Sequence, residues 1–154
     1  MTLVVDASAL YAQADADEPD HAAVSDALAA EPGALVTTEL IAAEADYLIL
    51  RRLGQGVELD FLQDLAEGTF VVDCLSRDEL RAARSVVEQY RDLYLGLADA
   101  SLVVLAHRYR TRRVATLDQR HFRQIRPMQA GTFIILPAGR RTRFPHCWRA
   151  RQAH

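Results

Sequence analysis

Apolar residues fall along this chain in two alternating kinds of block. One kind is a short run rich in Val, Leu, Ile and Thr, as at Leu3–Asp6, Ala34–Thr37, Thr69–Cys74, Arg113–Leu117 and Thr132–Leu136. Such runs predict strands of a buried sheet. The other kind has helical spacing. It predicts a short helix from Ser8, a second over about 19–30, and a third from an N-cap at Thr38 to Leu53. Further helices are predicted over 57–66, from Ser76 to about Tyr90, and over Leu97–Tyr109. Pro32-Gly33, Gly54 and Gly68 supply the stops, and Ser76 with Glu79 spells a capping box.

Strands separated by helices predict an α/β fold, with a mainly parallel sheet covered on both faces. Ligands of such sheets bind beyond the carboxyl ends of the strands, where strand order reverses. No repeat or low-complexity segment interrupts the alternation.

Composition narrows the class. A chain of 154 residues, half of them hydrophobic, is one domain with a substantial core. No apolar run is long enough to cross a membrane, and the N-terminus enters a strand without a signal-like segment. Two cysteines, Cys74 and Cys147, form no CxxC pair. A cytoplasmic, reducing location is expected. Cys147, His146 and His154 also admit a zinc-site reading; free thiols with a loose tail are the simpler one.

The net charge of −3 hides a polarity. Residues 1–106 carry 6 Arg and 20 acids, a balance of −14, whereas residues 107–154 carry 12 Arg and one acid, a balance of +11. The basic end suits either phosphate backbones or an acidic partner protein. Lys is absent, which a base-composition bias explains, but that bias does not explain the clustering.

Four acids stand where a fold would prefer neutral residues. Asp6 ends VVD, Glu44 interrupts TTELIAAEADYLIL, Asp99 opens LADASLVVLA, and Asp118 ends VATLD. Singly, Asp6 and Asp99 read as helix caps and Asp118 as a turn residue. Glu44 discriminates, because its helical neighbours are Leu40, Ile41, Tyr47 and Leu48, an apolar stripe. Glu39 and Asp46 lie on the other side and read as solvated. Removing a carboxylate from water is costly unless it is paired. Four converging carboxylates call for a divalent cation, and hence for hydrolysis at a hard metal. Arg112, Arg113 and Arg120 flank the fourth strand, either as holders of RNA phosphates or as plain surface.

Other phosphate chemistries fit poorly. An Asp-nucleophile phosphatase would need a second Asp where Ser8 stands. Receiver domains, P-loops and Schiff-base enzymes need the missing Lys.

In order and spacing, VVDASAL, VTTELIAAE, LGLADASLVVLA and ATLDQRHF resemble the PIN-domain ribonucleases, and more narrowly the VapC-type toxins. The resemblance spans about residues 2–136. It implies a PIN domain over 1–137 and an unassigned Arg-rich tail over 138–154. The implied fold is a three-layer α/β/α sandwich with five strands in the order 3-2-1-4-5. Asp6, Glu44, Asp99 and Asp118 would be the catalytic, metal-holding quartet for Mg²⁺ or Mn²⁺, with Ser8 and Thr116 as supporting hydroxyls. The implied activity is endonucleolytic cleavage of structured RNA, a tRNA or ribosomal RNA, leaving a 5′-phosphate and a 3′-hydroxyl. The implied partners are a VapB-type antitoxin and a second copy of the chain as a homodimer. The antitoxin tail would pack on helices near residues 39–66 and reach the carboxylates with a basic side chain. A module of the same fold that binds RNA or protein without cutting is the alternative.

Overall fold

The computed structural model describes residues 1–139. Its elements are β1 (Thr2–Val5), α1 (Ala7–Ala14), α2 (His21–Ala29), β2 (Ala34–Thr38), α3 (Glu39–Leu53), α4 (Gln55–Ala66) and β3 (Val71–Asp73), followed by α5 (Arg77–Gln89), a 3-10 turn (Arg91–Leu93), α6 (Leu97–Arg108), β4 (Arg113–Ala115), α7 (Gln119–Gln124) and β5 (Ile134–Leu136). The expected Arg-rich tail, Cys147 included, lies outside the described residues except for its first two positions.

All five strands run parallel in the order β3-β2-β1-β4-β5. The expected order therefore holds, and β1 and β4 are neighbours, with Val4 opposite Val114 and Val5 opposite Ala115. Going outward from β1, the chain first builds β2 and β3, then returns to the other side for β4 and β5. Right-handed crossovers place α1–α4 on one face of the sheet and α5–α6 on the other. Leu3, Val4, Val5, Val36 and Val114 are fully buried between these layers, as are Leu102 and Leu105 of α6.

Several ends follow from local chemistry. Thr38 caps α3 by accepting from the Ile41 N–H at 3.1 Å. Gly54 separates α3 from α4 at φ +89°, a conformation that side chains resist. The capping box of α5 is complete, with Ser76 N–H donating to Glu79 at 2.8 Å and Glu79 N–H to Ser76 Oγ at 3.2 Å. The third and fifth strands are shorter than their apolar runs, spanning three residues each. Helix α7 is an addition, since six residues containing one buried apolar anchor, Phe122, carry no readable periodicity.

One polar clip ties edge strand β3 to α6. Arg108 lies 3.0 Å from Asp73, donates to Glu79 Oε1 at 2.8 Å, and donates to the Cys74 carbonyl at 2.7 Å. Tyr109 donates to the same Asp73 at 2.7 Å. The Arg108 guanidinium holds the Glu79 carboxyl down to about 2 from 4.5. A depressed carboxyl contributes stability that is present above pH 4.5 and lost as pH falls through about 2. Replacing Arg108 with Met is therefore expected to cost about 1 kcal/mol at pH 7, a figure kept small by solvent screening. The deficit should shrink as pH falls toward 2.5, which urea melts at the two pH values would check.

Candidate functional site

The carboxyl ends of β1 and β4 meet at the switch in strand order, and the predicted acids gather there. Asp6 follows β1, and its N–H donates to the Ala115 carbonyl of β4 at 2.9 Å. It stands at the N-cap of α1, yet its side chain makes no capping bond. Its Oδ2 instead accepts from Ser8 Oγ at 2.9 Å and from Thr116 Oγ1 at 2.8 Å. Each hydroxyl has one proton, so both protons point at Asp6. The hydroxyl oxygens then accept from below: Ser8 from Leu117 N–H at 2.9 Å, and Thr116 from Asp118 N–H at 3.0 Å. The Asp6 carboxylate is thus fixed by a buried lattice joining β1, α1 and the end of β4. Burial raises its pKa, hydrogen bonds from Thr116, Ser8 and Ala7 lower it, and the Asp118 charge raises it again.

Asp99 lies in the first turn of α6, where its Oδ2 accepts from Gly96 N–H at 3.3 Å. The cap reading of Asp99 is therefore true, and the same carboxylate also faces the other acids. Burial, then the Asp6 charge, push it up to about 7 from 3.8. Glu44 in α3 is half-buried and pushed up to about 8 from 4.5, first by burial and then by Asp6 and Asp99. Asp118 caps α7, with Oδ1 3.5 Å from the His121 N–H and Oδ2 3.0 Å from His121 Nδ1. Three of the four acids therefore sit at helix N-termini, whose partial positive charge favours them.

Some sequence expectations shift. The buried stripe of α3 is Ile41, Ala42, Ala45 and Ile49, so Glu44 flanks it rather than lying on it. Tyr47, placed on that stripe by spacing, is 44% exposed. Asp46 is half-buried, not solvated, and its Oδ1 is shielded from water. Ser8 and Thr116 stand as expected beside Asp6. Arg112 and Arg113 enter β4 at the opposite end of the sheet from the acids. Arg113 pairs at 2.8 Å with Glu31, whose side chain is fully buried. Arg112 lies against Gly131, where a Cβ would collide with its guanidinium. The structure does not bring these two arginines to the acidic site. Arg120 is exposed on α7, two residues from Asp118.

The residues missed by sequence reasoning are His121, Thr37 and Ser101, and Thr38 was read only as a helix cap. The charge of His121 lowers the pKa of Asp99, which places its imidazole within the field of the site. Thr38 and Ser101 share a buried hydroxyl contact of 2.9 Å, and Ser101 donates to the Ala98 carbonyl at 2.6 Å. Thr37 donates to the Val5 carbonyl at 2.9 Å. These bonds lock the N-terminal ends of α3 and α6 together above β1. A signal was present, since Asp-Ala-Ser occurs at both Asp6–Ser8 and Asp99–Ser101.

The donor set is all oxygen and mutually repulsive, which suits a hard divalent cation. Among the described residues, no three His, Cys, Asp or Glu side chains are already gathered into a metal cage. The acids act on one another as charges across the cleft, so ligation would require them to draw inward.

A family profile described as PIN domain matches residues 3–126. The chain belongs to the PIN-domain family. It is 44% identical over 135 residues to ribonuclease VapC26 of Mycobacterium tuberculosis, covering 88% of this chain and all of that one. This PIN domain is accordingly a homologue of the VapC ribonucleases. Solved structures share the fold at lower identity. VapC20 of Mycobacterium tuberculosis, described as a sarcin–ricin loop cleaving toxin, aligns with a TM-score of 0.68 at 16% identity, covering 73% of this chain and 86% of that one. A toxin–antitoxin complex from Klebsiella pneumoniae aligns with a TM-score of 0.60 at 18% identity, covering 86% and 99%. VapBC2 of Rickettsia felis, bound to a promoter DNA fragment, aligns with a TM-score of 0.64 at 14% identity, covering 88% and 97%. No helix among the described residues of this PIN domain is long and apolar enough to cross a membrane.

Proposed function

We propose that this chain is the toxin of a toxin–antitoxin pair, a divalent-metal-dependent endoribonuclease that cuts phosphodiester bonds in structured RNA. One observation carries the reading: Asp6, Glu44, Asp99 and Asp118 act on one another as charges near the ends of β1 and β4, and burial with neighbouring carboxylate charge pushes Asp6, Glu44 and Asp99 above the usual carboxylate range. The 44% identity to a ribonuclease supports it. The four acids would hold Mg²⁺ or Mn²⁺. When bound, such an ion supplies activated water and neutralises charge on the phosphate. Asp6 is the most firmly oriented of the four, through Ser8 and Thr116. Asp118 is steadied by His121, and Arg120 offers an exposed cation beside it for the phosphate backbone. Transfer RNA and ribosomal RNA are the proposed substrate classes.

A VapB-type antitoxin is the proposed silencing partner, as the complexes among the fold relatives suggest. The face of α3 and α4 supports a protein contact there, with Tyr47, Leu50, Leu59 and Leu62 exposed by 40–59%. The same face is the proposed seat of a homodimer.

The purified chain, incubated with tRNA and ribosomal RNA in Mg²⁺, is expected to release fragments bearing 5′-phosphates and 3′-hydroxyls. EDTA should abolish the cleavage. RNA binding without cleavage in any divalent ion would favour the non-cutting binding module instead.

A further inference from the structure

The segment entering α6 holds an aromatic ring in an unusual position. Tyr94 follows the 3-10 turn at φ 52° and ψ 43°, the left-handed region that glycine normally fills after a helical turn. Tyr94 is 78% exposed, and Leu97, the first residue of the site helix, is 48% exposed. Between them Leu95 is buried and anchors the segment to the core. Its backbone N–H donates to the Arg91 carbonyl at 3.3 Å, and among the described residues no hydrogen bond, ion pair or ring contact engages its side chain. The chain therefore bears both a backbone cost and an apolar exposure cost at this position, with no side-chain contact in the fold to offset them.

The position itself suggests the compensation. Two residues on, Gly96 donates its N–H to Asp99, one of the four site acids. Consecutive Cα atoms are about 3.8 Å apart, so the Tyr94 backbone lies within roughly 8 Å of that donor. A nucleotide adjoining a phosphate held at the acids would reach the ring. An exposed aromatic face stacks any base, provided that the base is unpaired.

We propose that Tyr94, seated beside Asp99 and flanked by Leu97, is a stacking platform for an unpaired base next to the scissile phosphate. The inference rests on the ribonuclease reading above and deepens it. The substrate then presents a splayed base at the cut, so cleavage falls in loops or single strands rather than within a duplex.

The test uses the full chain with its four acids intact, in Ca²⁺ in place of Mg²⁺ to slow cutting, with a short single-stranded RNA. That RNA carries 2-aminopurine at one position after another. Quenching is expected at one position. Tyr94→Ala should remove the quenching and weaken binding about 10-fold. Tyr94→Phe should retain both, and Mn²⁺ affinity by calorimetry should be the same in all three. Tyr94→Gly separates stacking from structure, because it relieves the backbone and should melt no lower than its parent while binding RNA as weakly as Tyr94→Ala. RNA binding and quenching unchanged in Tyr94→Ala overturn the proposal, whatever else that variant weakens. Failure of the ribonuclease reading looks different, because the unsubstituted chain would then cut no RNA in any divalent ion, whether or not it binds RNA and whatever Tyr94 does.

Discussion

Replacing Asp6 with asparagine is expected to lower metal-dependent RNA cleavage by ~100-fold or more while leaving the fold at least as stable. The two halves of this result have one cause. Asp6 is buried, and its charge is opposed by burial and by Asp118. Asparagine is nearly the same shape and keeps one oxygen for the Ser8 and Thr116 hydroxyls. It removes the charge that the metal-free fold tolerates poorly. It also removes the charge that would hold a divalent ion, and activated water is the main contribution of such an ion to hydrolysis. Loss of activity without loss of stability is the pattern of a group kept for function at a cost to the fold. Had Asp6 been only a helix cap, the variant would keep its stability and cut normally, because Asn caps a helix as well as Asp does. Its side chain makes no capping bond. Cleavage assays paired with thermal melts at pH 8 read both halves. A folded Asp6→Asn protein with full cleavage would remove the quartet mechanism.

The same residue shows how far a sequence can be read. Strand order and the meeting of β1 with β4 were legible, because alternation dictates a parallel sheet and the resemblance supplied the order. The four acids were legible because each interrupts an apolar context. What escaped was whatever depends on side-chain direction. Spacing placed Glu44 on the buried stripe of α3, but the stripe runs one residue over, through Ala45. Small Ala45 packs in the core and Tyr47 is exposed, while Leu48 packs against the core only partly buried. Arg113 looked like a surface cation, but its partner Glu31 is 82 positions away in sequence and buried. His121 is an ordinary residue in sequence and becomes part of the site only because α7 turns it back onto Asp118. The pairing of Arg113 with Glu31 over that separation has no local signature.

In the absence of divalent ions, the protein is expected to lose stability as pH rises from about 5 to 8.5. Glu44 titrates at about 8 in the fold against 4.5 ordinarily, and Asp99 at about 7 against 3.8. Across these windows the folded chain holds protons that the unfolded chain has released. Stability therefore falls with rising pH, is fullest below the ordinary values, and is lost as pH climbs through the folded ones. Coupling between the two acids, and water at half-buried Glu44, reduce the sum, so the expected loss is about 2 kcal/mol. Millimolar Mn²⁺ should restore it at pH 8.5 and do little at pH 5, where protons occupy the same oxygens. Other groups also titrate, so the difference between wild type and Glu44→Gln is the decisive curve. The Gln side chain cannot ionise. It should raise the metal-free melting temperature at pH 8.5, flatten the pH profile, and reduce the rise that Mn²⁺ produces. A flat wild-type profile from pH 5 to 8.5 would mean that the acids do not oppose one another. A Glu44→Gln protein with the flattened profile but an undiminished Mn²⁺ response would make Glu44 a buried carboxyl and leave the ion to Asp6, Asp99 and Asp118.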